Sequence, residues 1–187
     1  MNSPGHDSQA AQRPDEIFDV VDEHDVPVAR ATRAEVHALR LRHRAVHVLV
    51  FGTDGRVFLQ QRSRLKDTSP GLWNSSCSGH LDAGEEYDAA AVRELAEEIG
   101  LVVTPATRLV RLVKLTPSRD SGWEFAWVYE ARGDGPFTLH PEEISEGRWL
   151  TPGEIIAWIG QEPEAFASAA RSLWTEHRAV VLAGLVV

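Results

Sequence analysis

Residues 78–101, SGHLDAGEEYDAAAVRELAEEIGL, constrain the fold more than any other part of the chain. From Glu86 onward nothing breaks a helix until Gly100, a residue free to take the left-handed conformation that ends one. At about 100° per residue, Val92, Leu95, Ala96 and Ile99 fall on one side as the expected buried stripe. Glu94, Glu97 and Glu98 fall together on the other, at spacings where like charges oppose a helix by roughly 0.2–0.5 kcal/mol per pair. Arg93 flanks them and cannot neutralise three acids. A solvated charged face is the ordinary reading of such a helix. Two features favour a cation site instead. Ala89, Ala90 and Ala91 leave room beside the acids, and Gly79 and Gly84 bracket a tight loop with Glu85 in reach of Arg93. A hard divalent cation would relieve the repulsion, because Mg²⁺ takes oxygen ligands and keeps waters for a substrate phosphate.

The whole chain, 187 residues and 43% hydrophobic, suffices for one domain with a substantial core and is tight for two. Acidic residues outnumber basic ones, 28 to 19, which argues against a general binder of nucleic acid or of an anionic membrane. A small molecule is the expected partner, with a cation as the bridge if it is a phosphate compound. Cys77 is alone, so neither an intrachain disulfide nor a CxxC metal pair is available, and a reducing, cytoplasmic setting fits. No run approaches the length of a membrane span. Residues 1–15 lack an apolar signal core and read as a disordered tail, with 16–187 as one domain.

Residues 17–22 and 26–31 are β-like runs about Glu23-His24-Asp25 and predict an N-terminal hairpin. Thr32, with Glu35 three residues on, forms a capping box for a helix through Leu39. Residues 45–51 read as a buried strand, Thr53-Asp54-Gly55 as a turn, and 56–61 as its antiparallel partner. A polar loop over 62–74 leads to a short strand over 75–81. Beyond the acidic helix, 102–115, 124–131 and 148–150 read as strands. Thr151-Pro152 opens a helix, and a last one covers 163–177. The class is α+β, a mixed sheet with few helices.

Gly79, five residues, Glu85, seven residues, Arg93-Glu94-Leu95, one residue, Glu97-Glu98, one residue and Gly100-Leu101 together resemble the complete Nudix box, with no position departing. The resemblance implies that family's α/β/α sandwich, a mixed β-sheet between helices, with the hairpin at one end and a C-terminal helix at the other. It implies hydrolysis of a diphosphate joined to another moiety, using Mg²⁺ or Mn²⁺. Glu94, Glu97 and Glu98 would hold the metal, with the backbone carbonyl of Ser78 as a further ligand. Glu85 and Arg93 would pin the loop to the helix, supported by Gly79 and Gly100. Glu97 or Glu98 would take the proton of the attacking water, with Glu124 the candidate outside the box.

RHRAVHVLVF and QQRSRLKDTSPGLWNSSCSGH also resemble type 1 isopentenyl-diphosphate isomerase, a relative of these hydrolases that moves a double bond. Aligned on PGLW, Arg62 and Lys66 fall where that enzyme holds the substrate diphosphate, and His43, His80 and Glu124 at metal-ligand positions. Departures favour hydrolysis. Ser78 stands where the catalytic cysteine would be, and Cys77 beside it would point to the other face of a strand. Val36 stands where a further histidine ligand would be, His37 being one residue off, and Gly122 where a second acid would be. The isomerase also lacks the full glutamate helix. A non-catalytic ligand-binding module is the remaining reading, disfavoured because every box glutamate is present.

Among the other residues, Arg62, Arg64 and Lys66 alternate in the polar loop as candidate phosphate contacts, Arg62 foremost. His80, in the box loop, is expected near the substrate. His47 reads as a core histidine. Trp123 and Trp127 would share a strand face, which could line a pocket. Glu142, Glu143 and Glu146 read as a solvated loop. The hairpin and the C-terminal helix would supply the surface for a homodimer.

Overall fold

The computed structural model describes residues 12–183. In chain order it contains β1 (Ile17–Val21), β2 (Pro27–Thr32), α1 (Arg33–Leu39), β3 (His43–Phe51), β4 (Val57–Arg62), β5 (Trp73–Asn74), β6 (Cys77–His80) and α2 (Tyr87–Ile99). There follow β7 (Val110–Leu115), β8 (Glu124–Arg132), β9 (Ile144–Leu150), α3 (Pro152–Gln161), α4 (Ser168–Thr175) and α5 (Arg178–Ala183). β1 and β2 form the expected hairpin, and Thr32 and Glu35 close the expected capping box of α1. Residues 102–109 are not strand but carry a single 3₁₀ turn, Pro105–Thr107, where Pro105 has no N–H for a ladder. The last predicted helix is divided: Pro163–Ala165 is 3₁₀, and α4 and α5 follow separately. Of the expected N-terminal tail, residues 12–15 pack against α1, with Ala34 N–H donating to the Pro14 carbonyl. Residues 1–11 lie outside the described residues.

The main sheet runs β5-β4-β3-β8-β7, with β6 added to β3 and β9 to β4. β3 pairs with β8 in parallel over its whole length, and the other pairs are antiparallel. β4 meets β3 only at Val50 and Phe51. Below that point β6 takes its place along residues 45–48 of β3.

Because strand side chains alternate between faces, β3 feeds two cores. Val46, Val48 and Val50 pack with Ala90, Ala91, Leu95 and Ile99 of α2. Ala45, Leu49 and Phe51 pack on the opposite side with Ile155, Ile159, Leu173 and Val181 of α3, α4 and α5. The result is the α/β/α sandwich with a mixed sheet in the middle. Cys77 is fully buried on the α2 side, so the strand does separate it from Ser78.

The buried face of α2 differs from the expected stripe. Leu95 and Ile99 are inside, but Val92 is 40% exposed and Ala96 is also outside, while Glu94 and Glu98 are buried. The interior side of the helix is set by β6, against which its acids are packed.

Candidate active site

Among the described residues β6 pairs with only one strand, and its Ser78, Gly79 and His80 line a cavity of about 910 Å³. Gly79 points to α2, and Ser78 and His80 to the opposite face, in register with His47 and Ala45 of β3. A methyl group built on Gly79 would lie 2.0 Å from Glu94 Oε1 and 2.4 Å from Oε2. Only glycine lets this carboxylate rest against the strand. Glu98 Oε2 accepts from Gln60 Nε2 at 3.0 Å and from the Ser78 N–H at 3.1 Å. Glu97 differs from its neighbours: its side chain is 60% exposed and is held only by Arg93 Nη1, at 3.1 Å.

Arg93 binds Glu85 through two bonds of 3.0 and 2.8 Å, as the spacing predicts, and also donates to Glu94 and to the His80 carbonyl. The loop after β6 is thereby tied to α2. Gly100 caps that helix at φ 69°. Burial raises the Glu94 carboxyl to about 8, with the charge of Glu98 adding to the effect. Burial likewise raises Glu98, to about 7, Lys66 opposing and Glu143 adding. A buried, mutually repelling carboxylate pair on a strand edge, with a third carboxylate beside it, is a donor set suited to a hard divalent cation.

Arg62 and Lys66 do line the cavity but are not free for a ligand. Arg62 Nε donates to the Thr68 carbonyl at 3.0 Å and Nη2 to its hydroxyl at 3.2 Å. Lys66 is ion-paired with Glu143. Glu143 is therefore buried inside the site and is not in the solvated loop expected of it, because the first residue pair of β9 brings it under Arg62 and Lys66. Arg64 is exposed and lies outside the cavity lining. Trp123, at φ 68°, precedes β8 and so does not share a strand face with Trp127; neither lines the cavity.

A second centre lies on the face of the sheet that carries His80. The ring nitrogens of His37, His43 and His80 lie within 4.8 Å of one another. Glu124 Oε1 is 3.1 Å from His80 Nε2 and 3.5 Å from His43 Nε2. Tautomers follow from the partners. His43 Nδ1 faces the Leu41 carbonyl at 2.9 Å, which only accepts, so Nδ1 carries the proton. His80 Nδ1 faces Arg33 Nη1 at 3.2 Å, which only donates, so its proton is on Nε2, toward Glu124. Nε2 of His43 and Nε2 of His37 are buried without a hydrogen-bond partner. Lone pairs thus converge with Glu124 and nothing between them. With His80 giving up its proton, the set fits a transition-metal ion. Burial drives His80 down to about 3, and the hydrogen bond from His80 helps to hold Glu124 well below the usual carboxylate range despite its burial.

His37 was one residue off in the alignment, yet it reaches the centre. The helix α1 ends in a left-handed Arg40 at φ 55°, and this turn, rather than linear spacing, aims the ring. Glu124 lines the cavity and also meets His43 and His80, the two histidines aligned with it at metal-ligand positions. His47 is the buried sheet histidine expected of it, bonded to Ser75 Oγ, and it also lines the cavity. Sequence position placed it correctly in β3 but could not tell that β6, facing it, is an open edge.

Comparison with known proteins identifies the family and the fold. Residues 41–173 match the NUDIX domain. The chain is 33% identical over 154 residues, 81% of its length and 86% of the relative's, to a protein named isopentenyl-diphosphate Delta-isomerase 2 from Photorhabdus laumondii. It is also 33% identical over 166 residues, 88% of its length and 87% of the relative's, to the uncharacterized Nudix hydrolase YfcD of Salmonella typhi. The crystal structure of DR0079 from Deinococcus radiodurans superposes with a TM-score of 0.70 at 30% identity, covering 78% of this chain and 90% of that one. The chain belongs to the NUDIX domain family.

Proposed function

We propose that the protein hydrolyses a diphosphate linkage in a small substrate, a nucleoside diphosphate joined to another moiety or a comparable diphosphate. Mg²⁺ would serve, with Mn²⁺ as substitute, held by Glu94, Glu97, Glu98 and the backbone carbonyl of Ser78. The observation that carries this reading is the burial of Glu94 against Gly79, where no side chain fits between carboxylate and strand, with Glu98 buried beside it on the Ser78 N–H. A bound cation would neutralise diphosphate oxygens and lower the pKa of a coordinated water.

The chain's own residues do the remainder. Gln60 and the Ser78 N–H orient Glu98. Glu85 and Arg93 keep the loop in place. Arg62 and Lys66 line the same cavity, held there by Thr68 and Glu143. Glu97, reached by solvent and bonded only to Arg93, is the box carboxylate best able to take the water's proton. His80 and Glu124 form the wall beside the substrate.

The acid excess and the lone, buried Cys77 support a cytoplasmic setting and a small-molecule substrate, without nucleic acid or membrane. Among the described residues no helix is long and apolar enough to cross a membrane. The outer strand β2, with Val28 63% exposed, is the surface a homodimer would use.

The test is a Mg²⁺-dependent screen of diphosphates, reading released phosphate or pyrophosphate. Turnover that disappears in Glu98→Gln supports the assignment; unchanged turnover in that variant refutes it. Complete inactivity with Mg²⁺ bound would support the binding-module reading instead.

One observation favours a second reading, isomerisation of isopentenyl diphosphate: the centre of His37, His43, His80 and Glu124, which makes good the missing histidine at position 36. Ser78 in place of a cysteine and Gly122 in place of an acid count against it. Dimethylallyl diphosphate formed from isopentenyl diphosphate at enzymatic rate would replace the hydrolase reading.

A further inference from the structure

We propose that His47 is a substrate-selecting residue: its Nε2 accepts a hydrogen bond from a hydroxyl or amino group of the moiety joined to the diphosphate, so that the cavity favours nucleoside- or sugar-type diphosphates over hydrocarbon ones. The proposal rests on the hydrolase reading of the same site and extends it to the group beyond the diphosphate.

The proton of His47 is fixed by its neighbours. Ser75 Oγ donates to the Cys77 carbonyl at 3.1 Å, so toward His47 Nδ1, 3.0 Å away, it can only accept. Nδ1 therefore carries the hydrogen, and Nε2 keeps its lone pair. Ser75 is fully buried, so water does not compete for this bond. Nε2 has no protein partner among the described residues. Unlike the shut-off Nε2 atoms of His37 and His43, it is open to the cavity that His47 lines. Burial also pushes the imidazole below its ordinary range, with Glu124 opposing and Arg62 adding, which keeps the acceptor neutral.

Its place in the sheet says what it meets. His47 is in register with Ser78 of β6 and Val128 of β8, and side chains on that face include His80, Ala45 and Glu124. The box glutamates approach β6 from the other side. A diphosphate held at the open edge of β6 would extend its attached group across this second face. Along β3, the row Ala45, Leu49 and Phe51 is apolar and packs into a core. His47 interrupts it with an acceptor that the protein leaves unsatisfied, which stabilises nothing until a donor arrives. Phosphate oxygens have no proton to offer at neutral pH. A hydroxyl or amino group is what the lone pair fits.

The experiment measures binding in Mg²⁺ by calorimetry, with a non-hydrolysable adenosine α,β-methylene diphosphate and its 2′,3′-dideoxy counterpart. Wild type is expected to hold the hydroxyl-bearing ligand about tenfold more tightly. In His47→Phe the two affinities should fall within about twofold of each other. In His47→Gln, whose amide oxygen still accepts, part of the preference should return. ¹⁵N spectra of wild type give a readout independent of folding in the variants. They should show the Nδ1–H tautomer, with Nε2 shifting for the hydroxylated ligand and not for the other. No preference in wild type, or the same preference in His47→Phe, overturns the proposal. Turnover is scored separately. Intact preference without hydrolysis of any diphosphate would sink the hydrolase reading alone, and hydrolysis without preference would sink the role of His47 alone.

Discussion

Gly79→Ala tests whether the Glu94 carboxylate lies where it is needed. The new methyl would sit 2.0 Å from Oε1, 2.1 Å from Cδ and 2.4 Å from Oε2. Ordinary van der Waals contact is about 3.5–4.0 Å, so strand and carboxylate must separate by more than an ångström. Glu94 is buried and bonded to Arg93, which is tied to Glu85. The displacement therefore propagates along the loop. Overpacking of this kind costs about 1–3 kcal/mol, which for a chain of this size lowers the melting temperature by roughly 2–10 °C. Displacing one carboxylate should also remove most of the Mg²⁺-dependent stabilisation. Gly160→Ala is the control, because a methyl there meets nothing within 4 Å and lies within α3; it should be neutral or gain up to about 1 kcal/mol. The clash is specific, so Gly79→Ala should cost less when Glu94 is also Ala, a coupling of about 1 kcal/mol or more. Thermal unfolding of the four variants with and without Mg²⁺ reads all of this. Additive effects, together with an undiminished Mg²⁺ response in Gly79→Ala, would refute the placement of Glu94.

Three further outcomes are expected. The folded-state pKa values of Glu94 and Glu98 are raised, so without a cation their stabilising contribution is present at acid pH and lost as pH rises through about 7 to 8. Stabilisation by Mg²⁺ should grow over that window with release of protons, and a Glu94→Gln, Glu98→Gln double variant should flatten the profile; a flat wild-type profile would contradict the burial argument. Gly100→Ala forces a side chain into φ 69° and brings its methyl to 3.2 Å from Thr138 Cβ, so it should destabilise by about 1–2 kcal/mol in denaturant unfolding. His37→Ala should weaken Zn²⁺ binding to the histidine centre by about tenfold or more while leaving the Mg²⁺ thermal shift intact; equal Zn²⁺ affinity in the variant would exclude His37 as a ligand.

Local chemistry was legible in the sequence. The capping box at Thr32, the stop at Gly100, the Glu85–Arg93 pair and the separation of Cys77 from Ser78 each depend on residues close in the chain. Spacing within one helix or one strand determines them, so they needed no knowledge of what packs alongside. A helical projection also showed that Glu94, Glu97 and Glu98 cluster, but not which of them would be buried. Solvent exposure is a property of the neighbour, and β6, lying against α2, takes in Glu94 and Glu98 and leaves Glu97 outside. The rest of the site is assembled across long separations. Lys66 meets Glu143 through the pairing of β4 with β9. His37 reaches His43, His80 and Glu124 through a left-handed turn and three strands. His47 becomes part of a cavity only because β6 ends the sheet beside it. The sequence by itself determined that a helix carrying three clustered glutamates would form; the tertiary structure decided what stands around it, because strand pairing, and not chain position, sets which side chains share a space.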